Sequence, residues 1–172
     1  MCFNRVVVGV IVLLTSFYSD AQRYEYTLNA GDIISIRVSG EPDLSIDSEI
    51  DVTGTLEYPF LGRIKVKSKT VSEVRWIIVD GLKGDYLLNP EVDVFIKEYR
   101  HFVINGDVIS PKEYPFEPGL TFAQAIKAAG GFNESGSQKQ IKVRRKLEGG
   151  VIIIENVKRE ELIQAGDVII IQ

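Results

Sequence analysis

Residues 30–36 read Ala-Gly-Asp-Ile-Ile-Ser-Ile, and residues 165–171 read Ala-Gly-Asp-Val-Ile-Ile-Ile. Each copy is a Gly-Asp turn followed by a β-branched run. Glycine tolerates a positive φ, aspartate bonds nearby backbone groups, and β-branched residues suit a pleated, buried surface. The repeat predicts two small β-rich units, one opened and the other closed by the same turn and strand. Two copies are too few for a solenoid, which needs at least about three repeats.

Residues 1–21 have the layout of a secretory signal peptide. Residues 6–14 form a short apolar run after a positive charge, and Ser19 and Ala21 place small residues where a signal peptidase cuts. The run is shorter than the roughly 20 residues that cross a bilayer. We therefore expect export and cleavage, rather than a buried N-terminal strand or helix. The only cysteine, Cys2, lies in the part removed, so no lipid anchor and no disulfide are predicted.

The composition is that of an ordinary globular protein. Hydrophobic residues make up 45% of the chain, charged residues 26%, and the net charge is −4. About 150 mature residues fit one medium domain or two small ones. An acidic balance argues against nucleic acid as a partner, because nucleic-acid-binding domains carry basic patches.

The first predicted unit, residues 22–98, is mostly strand with one helix. Thr70 and Glu73 have the spacing of a capping box, and Gly84 can end the helix. Pro59 predicts a strand edge or a bulge, because proline cannot donate to a strand ladder. The predicted helix face consists of Val71, Val74, Ile78 and Leu82. The predicted strands are residues 33–38, 48–52, 55–60, 63–69 and 91–97, with turns at 41–45 and 53–54.

The second predicted unit, residues 99–172, repeats this design. Thr121 and Gln124 form another capping box, and Gly130-Gly131 ends the helix. Strands around one helix are compatible with a β-grasp, a curled sheet that holds a helix, so the predicted fold class is α+β. The predicted strands are residues 102–108, 114–116, 141–146, 151–154 and 168–171, with a turn at 110–112.

The order of the motifs resembles a known family. The first unit resembles the polysaccharide biosynthesis/export family of outer-membrane capsule and exopolysaccharide exporters, and the second resembles its usual companion, the soluble-ligand-binding β-grasp (SLBB) domain. One departure is Pro111-Lys112, where the family commonly has Pro-Gly, which predicts a changed turn and the same fold. The first match rests on residues 26–38, 40–45, 52–62 and 89–94 and the Thr70 helix, and the second on residues 103–108, 120–131 and 166–169.

The resemblance implies a function without catalysis. It implies a periplasmic, outer-membrane-associated component of a machine that exports capsule or exopolysaccharide, acting by ring assembly and guidance of the polymer. The implied partners are the polysaccharide, further copies in a homo-oligomeric ring, an outer-membrane β-barrel and an inner-membrane polysaccharide co-polymerase. Family members that form their own pore continue into a C-terminal transmembrane helix, so the resemblance implies a short form lacking it.

Two alternating basic stretches are the candidate contacts for polymer or for a neighbouring subunit. Side chains two apart on a strand share a face, so each stretch presents a row of cations. Such rows could steer an anionic polysaccharide or meet an acidic patch such as Glu49 and Asp51 on the next subunit. The alternative, which the sequence favours, is the solvated face of a half-buried strand. The rows are Arg63, Lys65, Lys67 and Lys69, and Lys142, Arg144 and Lys146.

Several single residues have simpler interpretations than catalysis. Asp32 and Asp167 occupy the same place in a repeated turn, which favours backbone capping over acid–base chemistry. His101 is the only histidine and has no neighbouring motif. Trp76 is predicted to pack in the core rather than to stack on a sugar. The tyrosines are better carbohydrate candidates, because they join an apolar face to a polar tip; they are Tyr24, Tyr26, Tyr99 and Tyr114.

Two further functions stay open at this stage. A glycoside hydrolase needs only two suitably spaced carboxylates, and Glu160 and Glu161 are candidates, although adjacent glutamates are usually solvated surface. A stand-alone periplasmic glycan-binding module is the other alternative. The sequence has no metal-ligand spacing, no phosphate-binding loop and no dinucleotide fingerprint. No catalytic residue, metal or cofactor is therefore predicted.

Overall fold

The computed structural model describes residues 25–133, 140–147 and 149–172 of the chain. Within these ranges the fold is α+β: ten strands form three sheets, accompanied by two α-helices and one short 3-10 helix. The predicted α+β class is confirmed. The predicted signal peptide, residues 1–21, and Tyr24 lie outside the described residues.

The first half of the chain forms an antiparallel sheet, a separate hairpin and one helix. Its elements, in chain order, are β1 (Ile33–Val38), β2 (Ile46–Glu49), β3 (Thr55–Tyr58), β4 (Gly62–Lys65), α1 (Val71–Leu82) and β5 (Val92–Glu98). Strand β1 is the centre of its sheet, between β2 and β5. Strands β3 and β4 pair only with each other. Helix α1 packs against β5 and helps to cover the first core.

Helix α1 begins and ends where the sequence predicts. Thr70 accepts a hydrogen bond from the Glu73 backbone, and the Glu73 side chain accepts one from the Thr70 backbone. Its core-facing residues are the predicted Val74, Ile78 and Leu82. The helix ends at Leu82, two residues before Gly84. Local signals therefore set both helix ends.

The second half forms a mixed five-stranded sheet over one helix. Its elements are β6 (Phe102–Gly106), β7 (Lys112–Tyr114), α2 (Phe122–Ala128), β8 (Ile141–Leu147), β9 (Gly150–Ile154) and β10 (Val168–Ile171). The strand order is β7-β6-β10-β8-β9, and β10 runs parallel to β6. The last strand thus inserts at the centre of the sheet, and α2 covers one face, as a β-grasp requires. The capping box at Thr121 and Gln124 is confirmed.

Several strand boundaries were predicted wrongly. Strand β2 ends at Glu49 rather than residue 52, because Asp51 Oδ1 accepts the Thr53 and Thr55 backbone N–H groups and turns the chain. Val52, predicted to be half-buried, is 95% exposed. The strands predicted at 55–60, 63–69 and 102–108 end early, at Tyr58, Lys65 and Gly106, and the strand predicted at 114–116 occupies Lys112–Tyr114. The alternation of polar and apolar residues continues into these turns, whereas the hydrogen bonds between paired strands end before them.

The buried apolar side chains form two clusters, one in each half of the chain. The first contains residues of β1, β3 and α1, and the second contains residues of β6, β8, β10 and α2. Tyr26 packs against both clusters. The meeting point of the two halves is therefore built around the short segment that precedes β1.

Candidate functional site

The two Gly-Asp turns have the same local geometry. Asp32 Oδ2 accepts the Asn29 backbone N–H at 2.8 Å, and Asp167 Oδ2 accepts the Gln164 backbone N–H at 2.8 Å. Both aspartates are buried. Each carboxylate thus bonds the backbone three residues before it, which confirms the predicted capping role.

Each buried aspartate also binds an arginine. Arg145 holds Asp167 with two hydrogen bonds, from Nε at 2.8 Å and from Nη2 at 2.6 Å. Asp32 Oδ1 accepts the Arg100 backbone N–H at 2.8 Å, and its Oδ2 accepts Arg100 Nη1 at 3.0 Å. Charge-assisted hydrogen bonds of this kind are stronger than those between neutral groups. Both carboxylates are thereby engaged inside the chain and present no exposed surface to a substrate.

Tyr26 completes the cluster around Asp32. Its hydroxyl donates to Asp32 Oδ1 at 2.7 Å and accepts from Arg100 Nη1 at 2.6 Å. Burial raises the pKa of the Tyr26 hydroxyl well above its usual value, so the group stays protonated. Residues from before β1 and after β5 are thereby joined in one buried network.

Beside this network lies a groove of about 430 Å³, where Tyr26 of the first half of the chain meets lining residues of the second half. Three aromatic rings form one wall. Tyr99 meets Tyr26 edge-on with ring centroids 4.8 Å apart, and it meets Phe116 edge-on at 5.6 Å. We call it the junction groove; its lining residues are Tyr26, Tyr99, Arg100, Phe116, Pro118, Gly119 and residues 162–165.

The opposite wall, residues 162–165, is positioned by helix α2. The first N–H groups of a helix have no partner within it, and here Phe122 donates to the Glu161 carbonyl and Ala123 to the Arg159 carbonyl. Ile163 donates in turn to the Leu120 carbonyl. The loop therefore lies across the N-terminus of α2 and holds Leu162, which is 58% exposed, at the rim of the groove.

Arg100 contributes the charged group of the junction groove. Among the described residues, only its Nη1 donates from the side chain, and Nε and Nη2 have no hydrogen-bond partner there. The side chain lies against Gly166, where an added Cβ would stand 2.9 Å from Nε. Gly166, with φ +81°, therefore leaves room for the guanidinium. The groove can hold a ligand with apolar faces and hydrogen-bond acceptors.

The predicted basic rows lie in two different sheets. Arg63 and Lys65 are on β4, and Lys67 follows it; all three are exposed and alternate with buried residues. Arg63 pairs with Asp51 at 3.2 Å, so Asp51, expected to meet the next subunit, has a partner within the chain. Four hydrogen bonds lower the pKa of Asp51 to about 2, and the bond from the Thr53 side chain has the largest effect. Lys142 on β8 pairs with Glu155 at 3.3 Å, while Arg144 is exposed.

The other singled-out residues take varied positions. The prediction that Trp76 packs in the core is wrong: it is 69% exposed, because it lies on the side of α1 opposite to the buried stripe of Val74, Ile78 and Leu82. Tyr114 is buried and donates to the Ser110 carbonyl at 2.6 Å. His101, Glu160 and Glu161 are exposed. Of the three candidate tyrosines that the structure describes, Tyr26 and Tyr99 line the junction groove and Tyr114 does not.

Sequence reasoning missed Arg100, Phe116 and Leu162. A signal for Arg100 existed in the repeat, because two buried aspartates predict two buried cations. No local pattern indicates Phe116 or Leu162, which reach the groove only through tertiary packing within the second half of the chain.

The described residues contain neither a candidate metal centre nor a candidate membrane-spanning helix. No group of three or more histidine, cysteine, aspartate or glutamate side chains there is arranged to hold a metal ion. In the same residues, no helix combines the length and the apolar character needed to span a membrane.

Comparison with known proteins gives two family matches in chain order. Residues 20–97 match the family described as polysaccharide biosynthesis/export protein, and residues 102–154 match the SLBB domain. The exopolysaccharide production protein ExoF of Rhizobium meliloti (strain 1021) is 30% identical over 78% of this chain and 34% of its own length. The EPS I polysaccharide export outer membrane protein EpsA of Ralstonia nicotianae is 29% identical over 73% of this chain and 40% of its own. EpsA of Ralstonia solanacearum is 28% identical over the same shares. The chain thus spans between a third and two fifths of these relatives' length.

Proposed function

This chain belongs to the polysaccharide biosynthesis/export family and carries an SLBB domain, and from that premise we propose that it is a periplasmic component of a machine exporting exopolysaccharide or capsule across the outer membrane. The observation that carries the proposal is the ordered pair of domain matches. Relatives named for exopolysaccharide production and for polysaccharide export support it.

The proposed mode of action is guidance of the polymer without chemical reaction on it. The two conspicuous buried carboxylates, Asp32 and Asp167, are each neutralised by an arginine. General acid–base catalysis needs a carboxylate that can exchange a proton with the substrate. In this proposal the chain works as two modules, residues 22–98 and 99–172, and the separate hydrophobic clusters support that division.

The proposed assembly is a homo-oligomeric ring in the periplasm, reached after cleavage of residues 1–21. Its proposed partners are an outer-membrane β-barrel and an inner-membrane polysaccharide co-polymerase. A ring needs two different complementary surfaces on each subunit. The exposed cations Lys65, Lys67 and Arg144 and the exposed Glu49 offer opposite charges for such contacts.

Deletion of the gene tests the proposed function directly. We expect the mutant to accumulate polysaccharide inside the envelope and to lose it from the surface, as seen by staining of intact and permeabilised cells. Complementation with the full chain should restore the surface polymer. A mutant that still coats itself normally would refute the proposal. A stand-alone glycan-binding module would be dispensable in this way and stay monomeric, and a hydrolase would release reducing ends from purified polymer.

Charge reversal tests the basic row on β4. We expect the double variant Lys65→Glu/Lys67→Glu to shift the purified protein from ring to monomer in native mass spectrometry and to reduce surface polymer. The matched control is Lys127→Glu/Lys158→Glu, which makes the same charge change at exposed positions elsewhere. Equal behaviour of the two double variants would assign the row to a solvated strand face.

A further inference from the structure

We propose that the junction groove is a saccharide-binding site that holds one or two sugar rings and recognises their hydroxyl groups rather than a net negative charge. This inference rests on the proposed function, because the polymer that supplies the sugar rings is the one exported. It adds a binding site and a class of ligand to that function.

The aromatic wall matches the apolar faces of a sugar ring. Pyranose rings present patches of C–H groups, and aromatic side chains combine such apolar contact with a fixed orientation. Tyr99 is held edge-on between Tyr26 and Phe116, so its ring is positioned before any ligand arrives. Tyr26 and Tyr99 are only partly buried, and both line the groove. Preorganised rings of this kind reduce the entropy cost of binding.

The polar groups match hydroxyl oxygens. Arg100 Nε and Nη2 are donors without a partner among the described residues, and Gln164 adds a side-chain amide to the same lining. Buried Asp32, 3.0 Å from Nη1, balances the charge of the guanidinium. Arg100 is the only charged side chain among the described residues that line the groove. The site therefore offers directed donors with little net charge, which favours hydroxyl and ring oxygens over carboxylates.

The size and position of the groove also suit this ligand. Small-ligand sites usually have volumes of about 300–1,000 Å³ and lie preferentially between domains, and the groove has about 430 Å³ between the two halves of the chain. A ring bound there touches Tyr26 from one end of the chain and residues 162–165 from the other. Its affinity should depend little on salt, because salt screens exposed charges and not apolar contact or buried pairs.

The test titrates the full purified chain with oligosaccharides obtained by partial acid hydrolysis of the polysaccharide that the host secretes. Glucose tetramers and uronic acid tetramers serve as neutral and acidic probes. Backbone NMR shifts report the position, with Gly119 and Gly166 as reporters of the groove. We expect a host-derived or neutral probe to move these resonances at concentrations up to about 10 mM, with unchanged affinity at high salt.

Two variants and two matched controls locate the site. Tyr99→Leu keeps apolar volume but removes the ring, and Leu162→Glu puts a charge at an exposed rim position, so neither needs to disturb folding. Each should raise Kd about tenfold, since Tyr99→Leu removes the ring that contacts the sugar and Leu162→Glu places a hydrated charge at the rim; tenfold corresponds to about 1.4 kcal/mol. The controls Tyr86→Leu and Leu88→Glu make the same changes at exposed positions that do not line the groove, and their Kd should equal that of the unaltered chain.

Three outcomes would overturn the proposal. They are unmoved groove resonances with every probe, equal Kd in the variants and their controls, and binding of the acidic probe alone that salt abolishes and that maps to β4 or β8. The proposed function can fail separately. If deletion traps the polymer but Tyr99→Leu exports normally and binds normally, the function stands and the site is wrong. If deletion leaves export intact, the function is wrong whatever the groove binds.

Discussion

The two Gly-Asp turns differ only in where their arginines come from. Asp167 pairs with Arg145, 22 residues earlier on the neighbouring strand β8 of the same sheet. Asp32 pairs with Arg100, 68 residues later and beyond the end of β5. The first pair lies within the second half of the chain, whereas the second pair links the two halves. The same Ala-Gly-Asp sequence thus serves one internal role and one joining role.

This difference shows how a repeated motif acquires separate functions. The turn geometry, the burial of the aspartate and the backbone N–H three residues earlier are the same in both copies. What differs is the exposure of the arginine: Arg145 is 16% exposed, and Arg100 is 23% exposed with part of its edge toward the junction groove. Where the two halves meet, Arg100 Nε and Nη2 have no hydrogen-bond partner among the described residues.

The largest expected effect comes from Asp167→Asn. Breaking a buried pair by removing one partner costs about 3–5 kcal/mol. We expect the free energy of unfolding, measured by urea denaturation, to fall by that amount, and hydrogen exchange to accelerate in β8 and β10. Asp43→Asn, at an exposed carboxylate, is the control. A loss below about 1 kcal/mol, the value of a surface pair, would contradict the internal role.

Asp32→Asn should cost slightly less and act elsewhere. Arg100 is more exposed than Arg145, so water compensates part of the lost partner, and we expect a loss of about 3 kcal/mol. The distinguishing measurement is limited proteolysis between the two modules, which should accelerate near residues 99–101 in Asp32→Asn and not in Asp167→Asn. Equal proteolysis in the two variants would remove the distinction between a joining and an internal turn.

Alanine at the two turn glycines should separate the copies more finely. Both positions have positive φ, which costs an L-residue about 1–2 kcal/mol. A Cβ at Gly31 meets Arg100 Cβ at an ordinary 3.4 Å, whereas one at Gly166 stands 2.9 Å from Arg100 Nε. We expect Gly166→Ala to lose more stability than Gly31→Ala and to move the Arg100 Nε resonance. Equal losses with an unmoved resonance would show that Arg100 does not rely on Gly166.

The smallest expected effect concerns a third aspartate turn, at Asp51, whose carboxylate is partly exposed. Hydrogen bonds led by that from Thr53 lower its pKa to about 2. A lowered pKa stabilises the fold above the unfolded value, about 3.9, and this contribution is lost as pH falls through about 2. The stability difference between the unaltered chain and Asp51→Asn should therefore be constant above pH 5 and shrink below about 3.9.

Thermal unfolding from pH 6 down to pH 2 measures this loss of the stability difference at low pH. Asp85→Asn, at an exposed carboxylate that accepts no hydrogen bond from the described residues, is the control and should follow the unaltered chain. A difference that stays constant down to pH 2 would mean that Asp51 acts through its shape and not through its charge. In that case Asp51 would stabilise its turn through side-chain shape, whereas the buried Asp32 and Asp167 bind arginines.

Signals that act within a few residues predicted most of the fold. The capping boxes at Thr70 and Thr121 were predicted because their partners lie three residues away. The final strand, Val168–Ile171, was predicted to the residue because its turn precedes it directly. The strands around Val52 and Lys67 were extended too far, because alternation of side chains continues past the last ladder hydrogen bond.

The candidate sites show the same limit: the sequence reveals contacts between residues close together in the chain and not contacts between distant ones. The basic residues Arg63, Lys65 and Lys67 could be proposed from sequence because alternation on one strand is visible there, yet Arg63 pairs with Asp51 inside the chain. The exposure of Trp76 follows from helix geometry, since a residue two positions from both Val74 and Ile78 lies on the opposite side of α1. Tyr26 and Tyr99 could be named as candidates for carbohydrate contact, but nothing local ranked them above Tyr114.

The sequence by itself determined the turns, the helix ends, the α+β class and the family, because each depends on backbone preferences or on ordered short motifs. Only the tertiary structure decided which arginine meets which aspartate and which tyrosine lines a groove. Those contacts join residues far apart in the chain, and no local periodicity records them. The junction groove is lined by Arg100, which binds Asp32, and by Tyr26, so the ligand proposed for it depends on these long-range contacts.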